Sequence, residues 1–210
     1  ACCAARTASS LRACLGLLGV KIWQEGESTR VVGRAGALAG NGVSLDVREG
    51  GSTLRFLLAQ VAAGGGEALF RGSPRLMERP HGGLLDCLKG MGATIESVLD
   101  AGQPALKMRS PGIAGGAFSL DASASSQFLS ALMLVPWKEK AWIHSSAGNS
   151  SRGYIDLTLE AVARFRGRES LVPLADGWFA SPGCGEAQDW TIPGDASAGT
   201  FFVAALLVGG

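Results

Sequence analysis

Pro80-His81-Gly82-Gly83-Leu84-Leu85-Asp86-Cys87-Leu88-Lys89-Gly90-Met91-Gly92-Ala93-Thr94-Ile95-Glu96-Ser97-Val98-Leu99-Asp100-Ala101-Gly102 reads as a helix, a stop and the first arm of a hairpin. Helix is predicted from Pro80 to Met91 and ends at Gly92, because glycine readily takes the left-handed conformation that closes a helix. Strands Ala93–Leu99 and Pro104–Met108 follow across Asp100-Ala101-Gly102. The same order occurs twice more. Ser9 to Leu18 places Leu11, Leu15 and Leu18 on one helical face, and Gly19 stops it. Val20–Trp23 and Arg30–Val32 then pair across Gln24-Glu25-Gly26-Glu27. A third helix, Gly153 to Phe165, stops near Gly167, and Ser170–Leu174 and Trp178–Ser181 pair across Ala175-Asp176-Gly177.

A second element alternates with the first: a strand running into a polar helix start. Val43–Val47 precedes Gly51-Ser52, Ala117–Asp121 precedes Ser125-Ser126, and Trp190–Pro193 precedes Asp195-Ala196-Ser197. Short strands Ala68–Arg71 and Ala141–Ser145 follow the first two of these helices. The repeating unit is therefore β-α-β-α-β-β, with a period of roughly 73 residues. One copy reads as complete, a second nearly so, and the first lacks its opening. The fold expected is α/β (α+β), with three units around a shared core over residues 1–190. Residues 191–210 read as the start of a second lobe. Helices apolar on nearly all sides, Phe56–Val61 and Phe201–Val208, suit buried positions.

Composition narrows the function. The 19 Lys and Arg against 18 Asp and Glu leave a formal charge of +1, which argues against a general nucleic-acid binder. Arg164, Arg166 and Arg168 read as a solvated helix end. Hydrophobic residues make up 47% of the chain, enough for a substantial core, yet no run reaches the length of a membrane span. The five cysteines lack metal spacing; Cys14 and Cys87 read as buried thiols and Cys184 as exposed. His81 and His144 read as structural or exposed.

Three helix starts carry anion-binding chemistry. Glu49-Gly50-Gly51-Ser52-Thr53-Leu54-Arg55 is a glycine turn opening a helix. Ser73-Pro74-Arg75-Leu76-Met77-Glu78-Arg79-Pro80 places two arginines on a short loop, with Pro80 suited to a first helical turn. Ser125-Ser126-Gln127-Phe128-Leu129 is a polar start in which the serines double as N-caps. Free N–H groups and the positive end of the helix dipole favour anions there, and arginine forks bind phosphate or carboxylate bidentately.

These motifs, with Tyr154-Ile155-Asp156-Leu157-Thr158-Leu159 and Gly194-Asp195-Ala196-Ser197, resemble the 5-enolpyruvylshikimate-3-phosphate (EPSP) synthase family along essentially the whole chain. The resemblance implies a two-lobed inside-out α/β barrel, each lobe built from three βαβαββ units. It implies enolpyruvyl transfer from phosphoenolpyruvate to the 5-hydroxyl of shikimate 3-phosphate, with no metal or organic cofactor. It also implies a monomeric, cytoplasmic enzyme that serves aromatic amino-acid biosynthesis and is the target of glyphosate; a plastid is the alternative compartment. By motif position, Ser125, Ser126, Gln127, Ser151 and Tyr154 would hold shikimate 3-phosphate. Gly51, Arg75 and Gln127 would contact phosphoenolpyruvate. Arg55 and Arg79 are expected to brace the loops through Glu49 or Glu78, and Asp195 to cap a helix.

The departures are informative. Arg48 stands where the family pattern has glycine, Arg152-Gly153 replaces the proline that usually precedes Tyr154, and Phe165-Arg166-Gly167-Arg168 departs from Phe-Gly-Val. The family's Lys-Ser…Arg motif is expected before residue 1, and its general acid/base aspartate beyond Gly210. No catalytic residue is therefore assigned within residues 1–210, and the chain alone is expected to be inactive. The related UDP-N-acetylglucosamine enolpyruvyl transferases carry a cysteine on the mobile loop, and Ser73–Arg79 has none. An RNA 3′-phosphate cyclase would need a catalytic histidine motif that neither His81 nor His144 supplies. A lobe acting only by binding a partner is the alternative from outside enzymology.

Overall fold

The computed structural model describes residues 3–145 and 152–192. Helix α1 (Cys3–Leu17) is closed by Gly19 at φ +85°, and hairpin β1 (Lys21–Glu25) and β2 (Ser28–Val32) follows. Strand β3 (Val43–Arg48) then runs into α2 (Gly51–Gly64) and back through β4 (Gly66–Gly72), which lies parallel to β3. A one-turn helix α3 (Pro74–Met77) and helix α4 (Gly82–Gly90) lead to the antiparallel pair β5 (Thr94–Asp100) and β6 (Gln103–Ser110). The sheet order is β3-β4-β6-β5.

The pattern then repeats. Strand β7 (Gly116–Leu120), helix α5 (Ser126–Met133), strand β8 (Ala141–Ser145), helix α6 (Arg152–Arg166) and hairpin β9 (Leu171–Leu174) and β10 (Gly177–Ala180) form a second sheet in the order β7-β8-β10-β9. Both sheets combine one parallel pair, joined by a buried helix, with one antiparallel hairpin. Both βαβαββ units contain every expected element. The lone hairpin β1–β2 occupies the place of β5–β6 and β9–β10 in the same scheme.

The expected stops hold for a physical reason. Gly92 and Gly167 sit at φ +103° and +89°, where a β-carbon would be strained. Ala101 and Gly102 both have positive φ and make the two-residue hairpin turn that suits the strand twist. Arg48 also lies in the left-handed region, at φ +53°, so the position where the family pattern has glycine keeps a glycine-like backbone. The core is one continuous cluster. Leu54, Leu57, Leu58 and Val61 of α2 meet Phe128, Leu129 and Leu132 of α5 with 1% exposure or less. Each contributes about 1.5–3 kcal/mol by leaving water. Burial raises the Cys14 thiol to about 11, with a smaller push from Asp46, and the Cys87 thiol to about 12, so both stay protonated.

Several expectations need correction. Trp190–Ile192 is not a strand; the Trp190 ring packs 5.7 Å from Phe165 and lies under the Arg164 guanidinium. Arg166 is no solvated helix end: it reaches under the chain to donate to the carbonyls of Val135 and Ser181. The first-turn proline of the loop is Pro74, at the start of α3, whereas Pro80 lies ahead of α4. Ser151, Asp195 and the helix expected at Phe201–Val208 lie outside the described residues.

Packing between the units predicts a matched pair of substitutions. A β-carbon on Gly83 would run into the main-chain carbonyl of Asp121 and meet Phe128 at 3.4 Å, whereas one on Gly90 of the same helix meets nothing. Gly83→Ala should destabilise the protein by about 1–3 kcal/mol, and Gly90→Ala should stabilise it by about 0.5–1 kcal/mol. Urea denaturation of the two variants checks this; equal midpoints would contradict the close approach of α4 to the end of β7.

Candidate functional site

Helices α2, α5 and α6 run parallel, as their polar crosslinks demonstrate. Arg55 and Gln60 of α2 donate to Gln127 and to the Leu134 carbonyl at the end of α5, in the same chain order. Thr158 of α6 contacts Ser130 of α5 at 2.8 Å, and Arg166 reaches the Val135 carbonyl beyond it. Three helix N-termini therefore lie at one end of the molecule. The first N–H groups there have no partner within their helices.

Arg55 is the hub of that end. It is one turn into α2 and only 7% exposed. Its Nη1 donates to Gln127 Oε1 at 2.6 Å and to Ser125 Oγ at 3.4 Å. Nη2 donates to the Pro80 carbonyl at 3.2 Å, and Nε to His81 Nδ1 at 3.4 Å. The guanidinium also sits 5.0 Å from the centroid of the Phe128 ring, over its negative face. Among the described residues no carboxylate lies within ion-pair distance of Arg55 or Arg79. Burial, and then the nearby Arg79, lower the Arg55 pKa from the ordinary guanidinium value. Two cationic groups with no carboxylate partner among the described residues favour an incoming anion.

His81 is held neutral beside them. Its Nε2 lies 2.9 Å from the Leu76 carbonyl, which only accepts, so the ring proton is on Nε2 and Nδ1 accepts from Arg55. Burial lowers its pKa most; the Leu76 bond opposes the shift, and Arg55 and Arg79 add to it.

Gly51 opens α2 beside both guanidinium groups. A β-carbon there would lie 3.4 Å from Arg79 Nη1 and 3.7 Å from Arg55 Nη1. Gly50, by contrast, has no room, since its β-carbon would meet Thr53 Oγ1 at 2.8 Å. Ser125 caps α5 by accepting from the Gln127 N–H at 3.3 Å. Gly51, Ser125 and Gln127 thus come together. Ser126 is the first residue of α5, one turn ahead of Ser130, and Tyr154 is exposed, one turn ahead of Thr158 on the parallel α6.

Arg75 is placed otherwise than expected. It sits exposed on α3, as Arg79 does beyond it, but the atoms nearest a β-carbon built on Gly51 belong to Arg79, Arg55 and Leu76 and not to Arg75. The expectation that Arg55 braces Glu49 is also corrected, because its donors go to His81, Ser125, Gln127 and Pro80. The available signal was a single arginine embedded in an otherwise apolar helix. A concavity of about 960 Å³ between α6 and hairpin β9–β10 shares no residue with this cluster. No three of the described His, Cys, Asp or Glu side chains group as metal ligands, and no described helix is long and apolar enough to cross a membrane.

Two sheets, each built from one βαβαββ unit, and a cationic end where parallel helices begin define the class: a repeat-built α/β protein. Residues 6–210 match the family profile described as EPSP synthase (3-phosphoshikimate 1-carboxyvinyltransferase), and the chain belongs to that family. It is 34% identical over 212 residues to a 3-phosphoshikimate 1-carboxyvinyltransferase of Burkholderia orbicola, covering 93% of this chain and 47% of the relative. Against the enzyme of the same name from Aliivibrio fischeri it is 35% identical over 168 residues, covering 76% and 38%. The chain therefore spans less than half the length of these relatives. The solved structure of an EPSP synthase from Acinetobacter baumannii shares the fold with a TM-score of 0.69, covering 94% of this chain and 44% of that one at 19% identity.

The neutral, buried His81 predicts a pH signature. Its folded pKa lies below the unfolded value of about 6.5, so its contribution is complete above that pH and is lost as pH falls toward the folded value. Stability should drop between pH 7.5 and 5 more steeply in the wild type than in His81→Gln. Parallel pH profiles of the melting temperature would contradict it.

Proposed function

We propose that this chain forms the shikimate 3-phosphate-binding lobe of a 3-phosphoshikimate 1-carboxyvinyltransferase. Residues 1–190 would make the lobe, and residues 191–210 the beginning of the second. The observation that carries the reading is the Arg55–Arg79 pair, without a carboxylate among the described residues, at the end where α2, α5 and α6 begin. Shikimate 3-phosphate and phosphoenolpyruvate are both small anions rich in acceptor oxygens, and such a face is suited to them.

The division of labour follows from position. Ser125, Ser126, Gln127 and Tyr154, with Ser151 beyond the described residues, would hold the phosphorylated ring. Gly51 and Arg79 would receive phosphoenolpyruvate, with Gln127 between the two substrates. Arg79 replaces Arg75 in that role, because Arg79 is the arginine of its loop that faces Gly51. In the reaction the ring 5-hydroxyl gives up its proton as its oxygen bonds to the central carbon of the enol, the bond from that carbon to the phosphate oxygen then breaks, and phosphate leaves carrying one proton. A proton added to the methylene carbon at the first step departs at the second. An exposed face of this kind lowers the charge cost of bringing the anions together, but a second surface is needed to exclude water and supply the proton donor.

The rival nucleotide-sugar substrate is disfavoured by the short Ser73–Arg79 loop without cysteine. In the full-length protein, shikimate 3-phosphate should raise the melting temperature and UDP-N-acetylglucosamine should not. Arg79→Ala should weaken phosphoenolpyruvate binding by about 2–5 kcal/mol, since a desolvated anion loses its partner. Arg75→Ala should cost less than about 1 kcal/mol, because Arg75, unlike the equally exposed Arg79, does not lie against Gly51. Steady-state kinetics with both variants test this; a larger effect at Arg75 would restore it to the site.

A further inference from the structure

We infer that Arg55 is a positioning residue that sets the hydrogen-bond polarity of the anion site, turning Gln127 and Ser125 into outward donors. The inference rests on the site reading above and deepens it. An arginine has donors and no acceptor, so the Gln127 atom 2.6 Å from Nη1 is the carbonyl oxygen. The carboxamide is thereby locked in one of its two orientations, with Nε2 and its two protons on the opposite side. A glutamine left alone would present either end.

Ser125 is constrained in the same way. Its oxygen accepts from the Gln127 N–H at 3.3 Å and from Arg55 Nη1 at 3.4 Å. Both lone pairs are then engaged, and the hydroxyl proton remains to be given elsewhere. Two groups that are ambivalent by chemistry become donors by position. Phosphate and carboxylate oxygens only accept, so this polarity selects them over ligands that arrive with donors.

Arg55 can hold this arrangement because it is itself held. Four of its five N–H groups are engaged, by His81, Pro80, Ser125 and Gln127, and Phe128 underlies its plane. The residue links the first helix of one repeat to the first helix of the next, so the polarity of the second helix start is dictated by the first unit.

The test follows the Gln127 side-chain carboxamide by nitrogen–proton NMR in the full-length protein, with shikimate 3-phosphate and inorganic phosphate as probes. In the ligand-free wild type the carboxamide should be as ordered as the backbone. Arg55→Met should give it the mobility of an exposed glutamine and weaken shikimate 3-phosphate binding by about 10-fold or more. Arg55→Lys, which keeps one donor near Oε1, should recover part of both. Gln127→Glu should raise the melting temperature, by pairing with Arg55, while weakening binding as much as Arg55→Met does, because a carboxylate has no donor to offer. A carboxamide equally ordered in Arg55→Met would overturn the inference, as would unimpaired binding by Gln127→Glu. Should Arg55→Met fail to fold, the opposed changes in stability and affinity of Gln127→Glu decide it. Ordering that depends on Arg55 in a protein that binds neither probe would support the positioning role and refute the proposed site.

Discussion

One buried cation organises this end of the molecule. Arg55 lies inside an apolar helix, and leaving a guanidinium there unsolvated would cost several kcal/mol. The cost is offset by neutral acceptors and an aromatic face, since among the described residues no carboxylate is within ion-pair reach. A carboxylate would have quenched the charge. Neutral partners satisfy the hydrogen bonds and leave the charge to act on whatever arrives. The same contacts pin α2 to α5, and Gln60 repeats the link at the far end, so the two helices stay parallel with their positive ends together.

The repeat explains why a site arises there. Each of the two βαβαββ units sends its first helix inward from the end of its first strand, so α2 and α5 begin on one side, and α6, the second helix of its unit, begins beside α5. Few side chains are then needed. The glycine turn at Gly50-Gly51 allows close approach, Ser125 and Gln127 supply hydrogen bonds, and Arg79 adds a second cation at the rim. A groove of about 960 Å³ lies elsewhere, against α6. The chain covers less than half of the relatives it matches.

Much of the fold was legible because its punctuation is stereochemical. Gly19, Gly92 and Gly167 close helices at positive φ, and Ala101-Gly102 turns a hairpin, so local sequence suffices to place them. The repeat emerges from their spacing. Errors came where tertiary contacts override local preference. Trp190–Ile192 alternates like a strand, yet Trp190 is drawn onto Phe165 and Arg164. Arg166 sits in a basic run, yet burial sends it to two carbonyls. The motifs singled out Gly51, Ser125 and Gln127, and the structure gathers these three around Arg55. The placement of Arg55, Arg79 and Arg75 was not legible, because their types are alike and only packing tells that Arg55 is buried while Arg79, exposed like Arg75, lies beside Gly51.

The central claim is that the starts of α2, α5 and α6 form one anion-binding face. Backbone amide shifts of the full-length protein, followed during titration with shikimate 3-phosphate, address it directly. Amides at Gly51–Thr53, Ser126–Phe128 and Gly153–Ile155 should move together with one dissociation constant. Shifts confined to a single helix start, or gathered in the groove between α6 and β9–β10, would contradict it.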